Sequence, residues 1–223
     1  MYDFETARFK MLENQLLGSE AVSYDVALGV ASIPREIFLP ETMKSKSYLD
    51  DDIIVSNDYF LISALSLAKL VEVAEVNSND VVLDLGCGCG YSSAVMAKFA
   101  AMVVGVDKNK DYEEIATRNF AELSVDNAVM ITTDTPELGL KKQAPYNLIM
   151  VSGMLEDVPE VLLEQLADGG RLVTACCHND NRYGTGAFSY GEITKVIRKG
   201  RAFDKKVYSD ILLPLASVKF FNK

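Results

Sequence analysis

Histidine is scarce in this 223-residue sequence: His178 is the only one. This argues against a Ser-His-Asp hydrolase, and the G-x-S-x-G motif that presents a nucleophilic serine is also absent. The four cysteines are Cys87, Cys89, Cys176 and Cys177; they form no C-x-x-C pair, and nothing around His178 has the spacing of metal ligands. We therefore expect no metal site, and we interpret the cysteines as small packing residues in a reducing cytoplasm.

Positive charge is also scarce, since 22 Lys and Arg residues face 32 Asp and Glu residues and the formal net charge is -10. An acidic surface repels phosphates, so the composition disfavours a nucleic-acid partner. The one basic stretch, Lys195 to Lys206, has interspersed apolar residues. We interpret it as the solvated side of strands.

The sequence has no apolar run long enough to cross a bilayer. The most apolar region, Ser92 to Val106, is interrupted by Lys98 and is shorter than the about 20 residues that a spanning helix needs. The first residues, MYDFETARFKMLENQ, mix charges without a long apolar segment, so we expect no signal peptide. These features predict a cytoplasmic protein with no membrane partner.

The length suits one α/β domain. From Val81 onward, apolar strand patterns alternate with helical patterns, which is typical of a doubly wound, mostly parallel sheet. Strands are predicted at 81–85, 102–106, 128–132, 146–151 and 171–176, with tail segments at 192–198, 205–208 and 216–221 forming antiparallel strands at the sheet edge. We predict a single domain over 1–223, with an N-terminal helical or lid region over 1–78 and a Rossmann-like core over 79–223.

Several helices are predicted outside the strands. Apolar spacing indicates helices over 2–17 and 23–31, and a short strand is predicted at 53–55. Residues 61–76 are apolar on nearly all sides, which predicts a helix buried against the sheet. The sequence Asp157-Val158-Pro159-Glu160 resembles an N-cap with a capping-box acid, so a further helix is predicted to run to about Ala167.

The most informative stretch is VVLDLGCGCG at residues 81–90, an apolar strand with one acid followed by three glycines. A strand, a glycine turn and a helix open the nucleotide site of an α/β sheet, because glycine lets the backbone approach a ligand closely. The spacing differs from the dinucleotide G-x-G-x-x-G, since Tyr91 follows the third glycine, and the P-loop ending Gly-Lys-Ser/Thr is absent. An NAD-dependent oxidoreductase is therefore the least favoured class. The pattern D-x-G-x-G-x-G resembles motif I of the class I S-adenosylmethionine methyltransferases.

Polar residues follow the other predicted strands, where ligands of open α/β sheets bind. Asp107 lies roughly 20 residues past the glycine turn, where an acid can accept from both hydroxyls of a ribose. We favour this role over the alternative, an acid stabilised by a helix dipole, because position and residue type agree. Asp134 could accept from an adenine amino group or be an ordinary turn residue. Asn147, inside the fourth strand, is expected to form a structural hydrogen bond.

The whole chain resembles the protein-L-isoaspartate (D-aspartate) O-methyltransferase family. The resemblance is carried by ARFKMLENQL, VASIPREIFLPE, VVLDLGCGCGYSSAVMAKFA and YNLIMVSGMLEDVPEVLLEQLADGGRLV. It implies a doubly wound, mostly parallel, seven-stranded Rossmann-like sheet with S-adenosyl-L-methionine as cofactor. It also implies carboxyl O-methylation of L-isoaspartyl (D-aspartyl) residues in damaged proteins, so the expected partners are peptides or proteins that carry isoaspartate. By the same resemblance, the cofactor site is lined by Asp84, Gly86, Cys87, Gly88, Gly90, Asp107, Asp134 and Ser152.

One segment departs from the family. Its substrate loop normally reads close to G-Q-T-I-S, whereas residues 56–63 here read SNDYFLIS. Alignment through the following helix puts the family's serine position on Ile62. Ser63 is one place away, and on a helix that turns a side chain by about 100°. We therefore assign no catalytic residue.

Three functions stay open at this point: isoaspartyl carboxyl methylation, class I methyl transfer to another substrate, and non-catalytic binding of S-adenosylmethionine with a degenerate substrate loop. A substrate carboxylate is already ionised at neutral pH, since its reference pKa is about 4. It needs no general base. Carboxyl methylation therefore suits a chain with a single histidine better than methylation of an amine or a hydroxyl.

Overall fold

The computed structural model describes residues 2–56, 59–177 and 188–214. His178 and the predicted strand at 216–221 lie outside the described residues. The helices are α1 (Phe4–Met11), α2 (Tyr24–Ala31), α3 (Ala64–Ala74), α4 (Tyr91–Met96), α5 (Lys110–Glu122) and α6 (Glu160–Leu163). The strands are β1 (Ile53–Ile54), β2 (Phe60–Leu61), β3 (Val81–Leu85), β4 (Met102–Asp107), β5 (Ala128–Thr132), β6 (Tyr146–Leu155), β7 (Leu166–Cys177), β8 (Phe188–Lys199) and β9 (Ala202–Pro214).

The main sheet has seven strands in the order β5-β4-β3-β6-β7-β8-β9. Strands β5, β4, β3, β6 and β7 run parallel; β8 then pairs antiparallel with β7, and β9 pairs antiparallel with β8. The predicted doubly wound, mostly parallel, seven-stranded sheet is therefore confirmed. Strand β3 lies at its centre, so the glycine turn that follows β3 opens at the middle of the sheet edge.

The central strands are buried on both faces, as their continuous apolar runs predict. Val82 packs in one apolar cluster with Leu67 of α3, and Leu83 packs in a second cluster with Leu162 of α6. The sheet thus separates two apolar layers. Asn147 accepts a hydrogen bond from the Val81 N–H through its side-chain oxygen, at 2.9 Å, which is the structural role expected of it.

The N-terminal region differs from prediction at two places. The predicted helix over 2–17 is α-helical only over Phe4–Met11 and continues as a π-helical turn over Leu12–Leu16. The predicted helix over 61–76 begins later, at Ala64, because Phe60–Leu61 pairs antiparallel with Ile53–Ile54. Strand pairing therefore makes Leu61 extended, although apolar periodicity assigned it to the first turn of the helix.

The predicted helix from Glu160 to about Ala167 is wrong in length. Helix α6 ends at Leu163, and its N-cap residue is Pro159; the Asp157 carboxylate instead accepts from the Val158 N–H. The chain is extended from Leu166 onward as β7, where it pairs with β6. Long-range strand pairing therefore overrides the local helical pattern.

The stretch from Lys195 to Lys206 is only partly the solvated side of strands. Lys205 and Lys206 are exposed, but Lys195 is buried and its Nζ lies 2.8 Å from the Glu75 carboxylate at the end of α3. Helix α3 covers this face of β8, so the Lys195 ammonium forms an ion pair there. None of the helices in the described ranges has the length and apolarity that crossing a membrane requires.

Candidate functional site

The glycine turn after β3 requires glycine for its backbone. Gly86, Gly88 and Gly90 have φ angles of +76°, +52° and +92°, in the left-handed region that residues with a Cβ rarely adopt. The Gly86 N–H donates to the carbonyl of Val106, which joins the turn to β4. A Cβ on Gly90 would lie 2.8 Å from the Phe120 ring of α5. Backbone conformation and packing therefore both select the glycines.

Asp84 lies beneath this turn with a fully buried carboxylate. One of its oxygens accepts hydrogen bonds from the hydroxyls of Ser92 and Ser93 at 2.6 and 2.7 Å, and the other accepts from Ser152 at 3.3 Å. Burial raises the pKa of Asp84 to about 6, while these hydroxyls act in the opposite direction. The carboxylate thus ties the start of α4 and strand β6 to the centre of β3.

Asp107 is brought against the turn from the end of β4. Its Oδ2 accepts from the Gly88 N–H at 3.1 Å, and its Oδ1 accepts from the N–H groups of Lys108 and Asn109. The side chain is buried, with 2% exposure. These backbone donors fix the carboxylate at the edge of the sheet next to the second glycine.

The other two predicted side chains occupy different environments. Cys87 is buried, its Sγ lies 3.1 Å from the Met130 Sδ, and burial raises the pKa of its thiol. Asp134 is exposed, two residues after β5. The structure thus joins Asp84, Ser152, the glycine turn and Asp107 into one connected group, and it leaves Asp134 at the neighbouring strand end.

A narrow cleft opens beside the turn. Gly86, Cys87 and Ser152 line it on the side of the sheet, and residues 59–62 line it on the other side. The segment that departs from the family's substrate loop therefore forms one wall of this cleft.

Tyr59 is a residue of this wall that the sequence did not single out. A Cβ on Gly88 would lie 2.3 Å from its Cδ2, so the ring packs directly on the turn. The Tyr59 hydroxyl donates to the Phe38 carbonyl at 3.1 Å, and its ring centroid is 5.3 Å from that of Tyr112. Burial raises the pKa of the phenol well above its usual value. The only feature of the sequence that could have indicated this contact is the presence of an aromatic residue inside the altered loop.

Arg35 is the second residue that the sequence analysis missed. It begins a 3-10 turn over Arg35–Phe38, and its guanidinium carbon lies 4.8 Å from the centroid of the Tyr91 ring. The segment IPRE contributed to the family resemblance, but nothing in it indicated a contact with Tyr91. Tyr91 directly follows the glycine turn and lines the cleft.

The Ser63 hydroxyl is used within the chain as a helix cap. Its Oγ accepts from the Ser66 N–H at 3.1 Å and caps α3, and its backbone N–H donates to the Asp52 carboxylate. Burial raises the pKa of Asp52 to about 6. Ile62, at the aligned serine position, is buried and lines the cleft.

Within the described part of the chain, no group of three or more His, Cys, Asp and Glu side chains is placed to hold a metal ion. The residues that line the cleft include Ser92 and Ser152. The Asp84 carboxylate accepts from their hydroxyls, and the Asp107 carboxylate accepts from the Gly88 N–H of the glycine turn.

Comparisons with known proteins agree on one family. The family model for Protein-L-isoaspartate(D-aspartate) O-methyltransferase matches residues 9–185. Among curated relatives, the Protein-L-isoaspartate O-methyltransferase of Methanospirillum hungatei JF-1 is 30% identical over 168 residues, which are 75% of this chain and 77% of that protein. Protein-L-isoaspartate O-methyltransferase 1 of Archaeoglobus fulgidus is 32% identical over 174 residues, covering 77% of this chain and 80% of that protein.

Solved structures show the same fold. A protein-L-isoaspartate O-methyltransferase matches with a TM-score of 0.76 at 24% identity; the match covers 93% of this chain and 65% of that chain. A Plasmodium falciparum protein assigned to the same activity, solved in complex with S-adenosyl-L-homocysteine, matches with a TM-score of 0.65 at 20% identity over 96% of this chain and 98% of that one. With the fold, the family model and the curated relatives in agreement, this chain belongs to the protein-L-isoaspartate (D-aspartate) O-methyltransferase family.

Proposed function

We propose that this protein binds S-adenosyl-L-methionine at the glycine turn and methylates the carboxylate of L-isoaspartyl (D-aspartyl) residues in damaged proteins. Family membership and the names of the curated relatives support the activity. The Plasmodium falciparum neighbour, solved with S-adenosyl-L-homocysteine, supports the cofactor. The observation that carries the proposal is the hydrogen bond from the Gly88 N–H to the buried Asp107 carboxylate, because it holds an acid at the glycine turn.

The donors and acceptors of the cleft suit this cofactor, which when bound supplies a methyl group on a sulfonium. We assign the ribose hydroxyls to Asp107, the adenine amino group to Asp134, and close backbone approach to Gly86, Gly88 and Gly90. We also assign Asp84, Cys87 and Ser152 to the site, on the side of the cleft that the sheet forms. Asp84 acts as a positioning residue, because its carboxylate is bound by the hydroxyls of Ser92, Ser93 and Ser152.

The hydrogen-bonding groups around the cleft suit the cofactor, but the volume of the cleft is too small for it. Only about 10 Å³ of the cleft is accessible to a water-sized molecule, whereas most ligand pockets have roughly 300–1,000 Å³. The Tyr59 ring accounts for part of the difference, since it packs on Gly88. We infer that the ring moves away from Gly88 when the cofactor binds.

The chain's main contribution to the reaction is alignment. A carboxylate oxygen forms a bond to the methyl carbon while the sulfur–carbon bond breaks, and the positive charge of the sulfonium is lost. The acceptor is already ionised, since the reference pKa of a carboxyl is about 4. The protein therefore has to hold the two groups in line and exclude water from between them.

Radiolabelled methyl transfer tests the activity. An isoaspartyl peptide should gain label, and the same peptide with normal aspartate should stay at background. Equal counts on the two peptides would reject the proposed substrate.

Calorimetry with S-adenosylhomocysteine tests the site. Asp107→Asn should weaken binding at least tenfold, whereas Asp111→Asn, at an exposed acid on α5, should bind as the unsubstituted protein does. Unchanged binding by Asp107→Asn would remove Asp107 from the site.

A second candidate is methyl transfer to another peptide or small carboxylate. The observation that favours it is the pair Ile62 and Ser63: an apolar side chain lines the cleft, and the neighbouring hydroxyl caps α3. A panel of carboxylate acceptors, with formation of S-adenosylhomocysteine as the measurement, separates the two. Turnover on another acceptor without turnover on the isoaspartyl peptide would favour this candidate.

We also propose that residues 1–78 form the helical region that closes the cofactor-binding core over 79–223. Tyr59 and Arg35, which contact Gly88 and Tyr91, support this division of roles. A cytoplasmic location is part of the same proposal, because the described cysteines form no disulfide, as expected in a reducing compartment.

A further inference from the structure

Arg35 carries a buried positive charge that meets no carboxylate within 4 Å among the residues that the structure describes. Its side chain has 0% exposure. The Nε donates to the Ser47 carbonyl at 2.6 Å, and the Nη1 donates to the Ile62 carbonyl at 2.8 Å. Two neutral carbonyls therefore accept its hydrogen bonds, while the Asp52 carboxylate interacts with it electrostatically without forming an ion pair within 4 Å. A buried charge in this state is costly unless a counter-ion completes it.

The hydrogen bonds around Arg35 are also incomplete. Five buried side-chain atoms in the described part of the chain lack a hydrogen-bond partner, and three of them belong to Arg35 and to two residues that it contacts: the Arg35 Nη2, the Tyr91 Oη and the Ser47 Oγ. Buried polar groups are nearly always satisfied, so such a concentration points to a bound group that the protein chain does not itself supply. All three atoms can donate hydrogen bonds. A single group that accepts hydrogen bonds could satisfy all three atoms. Because the guanidinium is positively charged, an anionic acceptor is favoured.

Arg171 shows how this chain treats a buried arginine with a structural role. Its Nη1 and Nη2 donate to the two oxygens of Asp80 at 3.0 and 2.6 Å. Its Nε and Nη2 also donate to the carbonyls of Ala74 and Glu75. The guanidinium of Arg171 thus has a carboxylate partner within the chain and a hydrogen-bond partner for each nitrogen, whereas the Arg35 Nη2 has none in the described part of the chain. The difference argues against a purely structural role for Arg35.

Arg35 lies directly behind the wall of the candidate cofactor cleft. Its two contacts there, the Ile62 carbonyl and the Tyr91 ring, belong to residues that line the cleft. Ile62 and Tyr91 thus contact both the cleft and the guanidinium. The narrowness of the cleft means that the Tyr59 ring leaves Gly88 as an anionic ligand enters.

We infer that Arg35, Tyr91 and Ser47 form a carboxylate-binding subsite of the cleft. The inference rests on the proposed function, which offers two carboxylates: that of the aminoacyl part of the cofactor and that of the substrate. A guanidinium suits either one, because its planar array of N–H groups matches the two oxygens of a carboxylate. The two hydroxyls supply further donors to the same oxygens.

Two nucleoside probes separate the cofactor's carboxylate from the rest of the molecule. S-adenosylhomocysteine carries the aminoacyl group, and 5′-methylthioadenosine lacks it. If Arg35 binds the cofactor's carboxylate, Arg35→Met raises the Kd of S-adenosylhomocysteine at least tenfold and leaves that of methylthioadenosine within twofold. If Arg35 binds the substrate's carboxylate, both Kd values hold, and the KM of an isoaspartyl peptide rises at least tenfold with a smaller change in kcat.

Milder variants keep the test decisive if Arg35→Met fails to fold. Arg35→Lys retains the charge and loses the planar fork, and Tyr91→Phe removes one hydroxyl while keeping the ring under the guanidinium. Both should shift the same constant as Arg35→Met by a smaller factor. The matched control is Arg171→Lys, at the other buried arginine, which should leave the ratio of the two nucleoside Kd values unchanged.

The inference fails if the folded Arg35 and Tyr91 variants keep the Kd of both nucleosides and the peptide KM within twofold, since buried water then suffices for these donors. Its failure is distinct from that of the proposed function. If the unsubstituted protein binds S-adenosylhomocysteine but methylates no isoaspartyl peptide, the proposed substrate is wrong and calorimetry still decides the role of Arg35. If it binds neither nucleoside and methylates nothing, both are overturned.

Discussion

Tyr59 packs on Gly88 so closely that a Cβ on the glycine would lie 2.3 Å from the Tyr59 Cδ2 and 2.4 Å from its Cε2. Gly88 is the middle glycine of the turn, and Tyr59 belongs to the segment that replaces the family's usual substrate loop. In this structure the Tyr59 ring therefore occupies the space that a side chain at position 88 would fill. Any ligand that uses the turn competes with that ring.

Gly88→Ala should destabilise the protein for two separable reasons. The φ of +52° strains a residue with a Cβ by about 1–3 kcal/mol, and the clash with Tyr59 adds an overpacking penalty of about 1–3 kcal/mol. Urea unfolding measures the sum. The double variant Tyr59→Ala/Gly88→Ala keeps the strain and removes the clash, so it should lose less than the sum of the two single losses. Strict additivity would show that the ring does not meet the new methyl group.

Tyr59→Ala should bind S-adenosylhomocysteine several-fold more tightly, because no ring has to be displaced from Gly88. The same variant should be less stable by about 3 kcal/mol, as expected for the truncation of a buried aromatic side chain. Calorimetry measures the binding. Tyr59→Phe is the matched control, since it loses the hydrogen bonds of the hydroxyl, to the Phe38 carbonyl and to Cys89, and keeps the ring in place. Weaker binding by Tyr59→Ala would mean that the ring contacts the bound ligand.

Ser63→Ala should lower the free energy of unfolding by about 1 kcal/mol, the usual cost of losing an N-cap hydroxyl. Its hydroxyl accepts the Ser66 N–H, so we expect kcat for methyl transfer to stay unchanged in the folded variant. Ser63→Thr can still cap α3 and should recover most of the stability. A tenfold loss of kcat in folded Ser63→Ala, recovered by threonine, would instead place the hydroxyl at the reaction centre.

The buried carboxyl of Asp84 should give stability a definite pH dependence. Burial raises its pKa from 3.8 to about 6, so the folded state holds the proton more tightly than the unfolded state. The resulting stabilisation is complete below pH 3.8 and is lost as the pH rises through 6. Asp84→Asn is neutral throughout. The stability of the unsubstituted protein minus that of the variant should therefore fall by about 3 kcal/mol from acid to neutral pH.

Urea unfolding of both proteins at each pH measures this difference and cancels the titration of the other carboxyls. The lowered pKa values of Glu75 and Asp80, for example, act in the opposite direction in both proteins alike. A difference that is constant with pH, or that rises with it, would contradict the raised pKa of Asp84.

Much of the fold was predictable because its central strands are specified locally. Val81–Leu85 and Ala128–Thr132 have the predicted bounds, since each is a short apolar run with turn residues on both sides. Errors occurred where a distant partner decides the conformation. Leu61 is not helical as predicted, because Phe60–Leu61 pairs with Ile53–Ile54, and the chain is extended from Leu166 onward because β6 pairs with it.

The candidate site divides in the same way. The glycine turn, and Asp107 at the end of the next strand, follow from local pattern and from the parallel topology. The contact of Tyr59 with Gly88 and that of Arg35 with Tyr91 join residues far apart in the chain. No periodicity or motif encodes such pairs, so neither role could be read from the sequence alone.

Arg171 has a consequence for the junction between the two proposed regions. From β7 its guanidinium reaches the carbonyls of Ala74 and Glu75, where α3 ends, and the carboxylate of Asp80, just before β3. A cut in the backbone between Glu75 and Asp80 would leave both fragments attached to the same side chain. Hydrogen bonds of Arg171 therefore cross-link the two sides of the junction near residue 78. We expect the helical region and the sheet to unfold together as one cooperative unit.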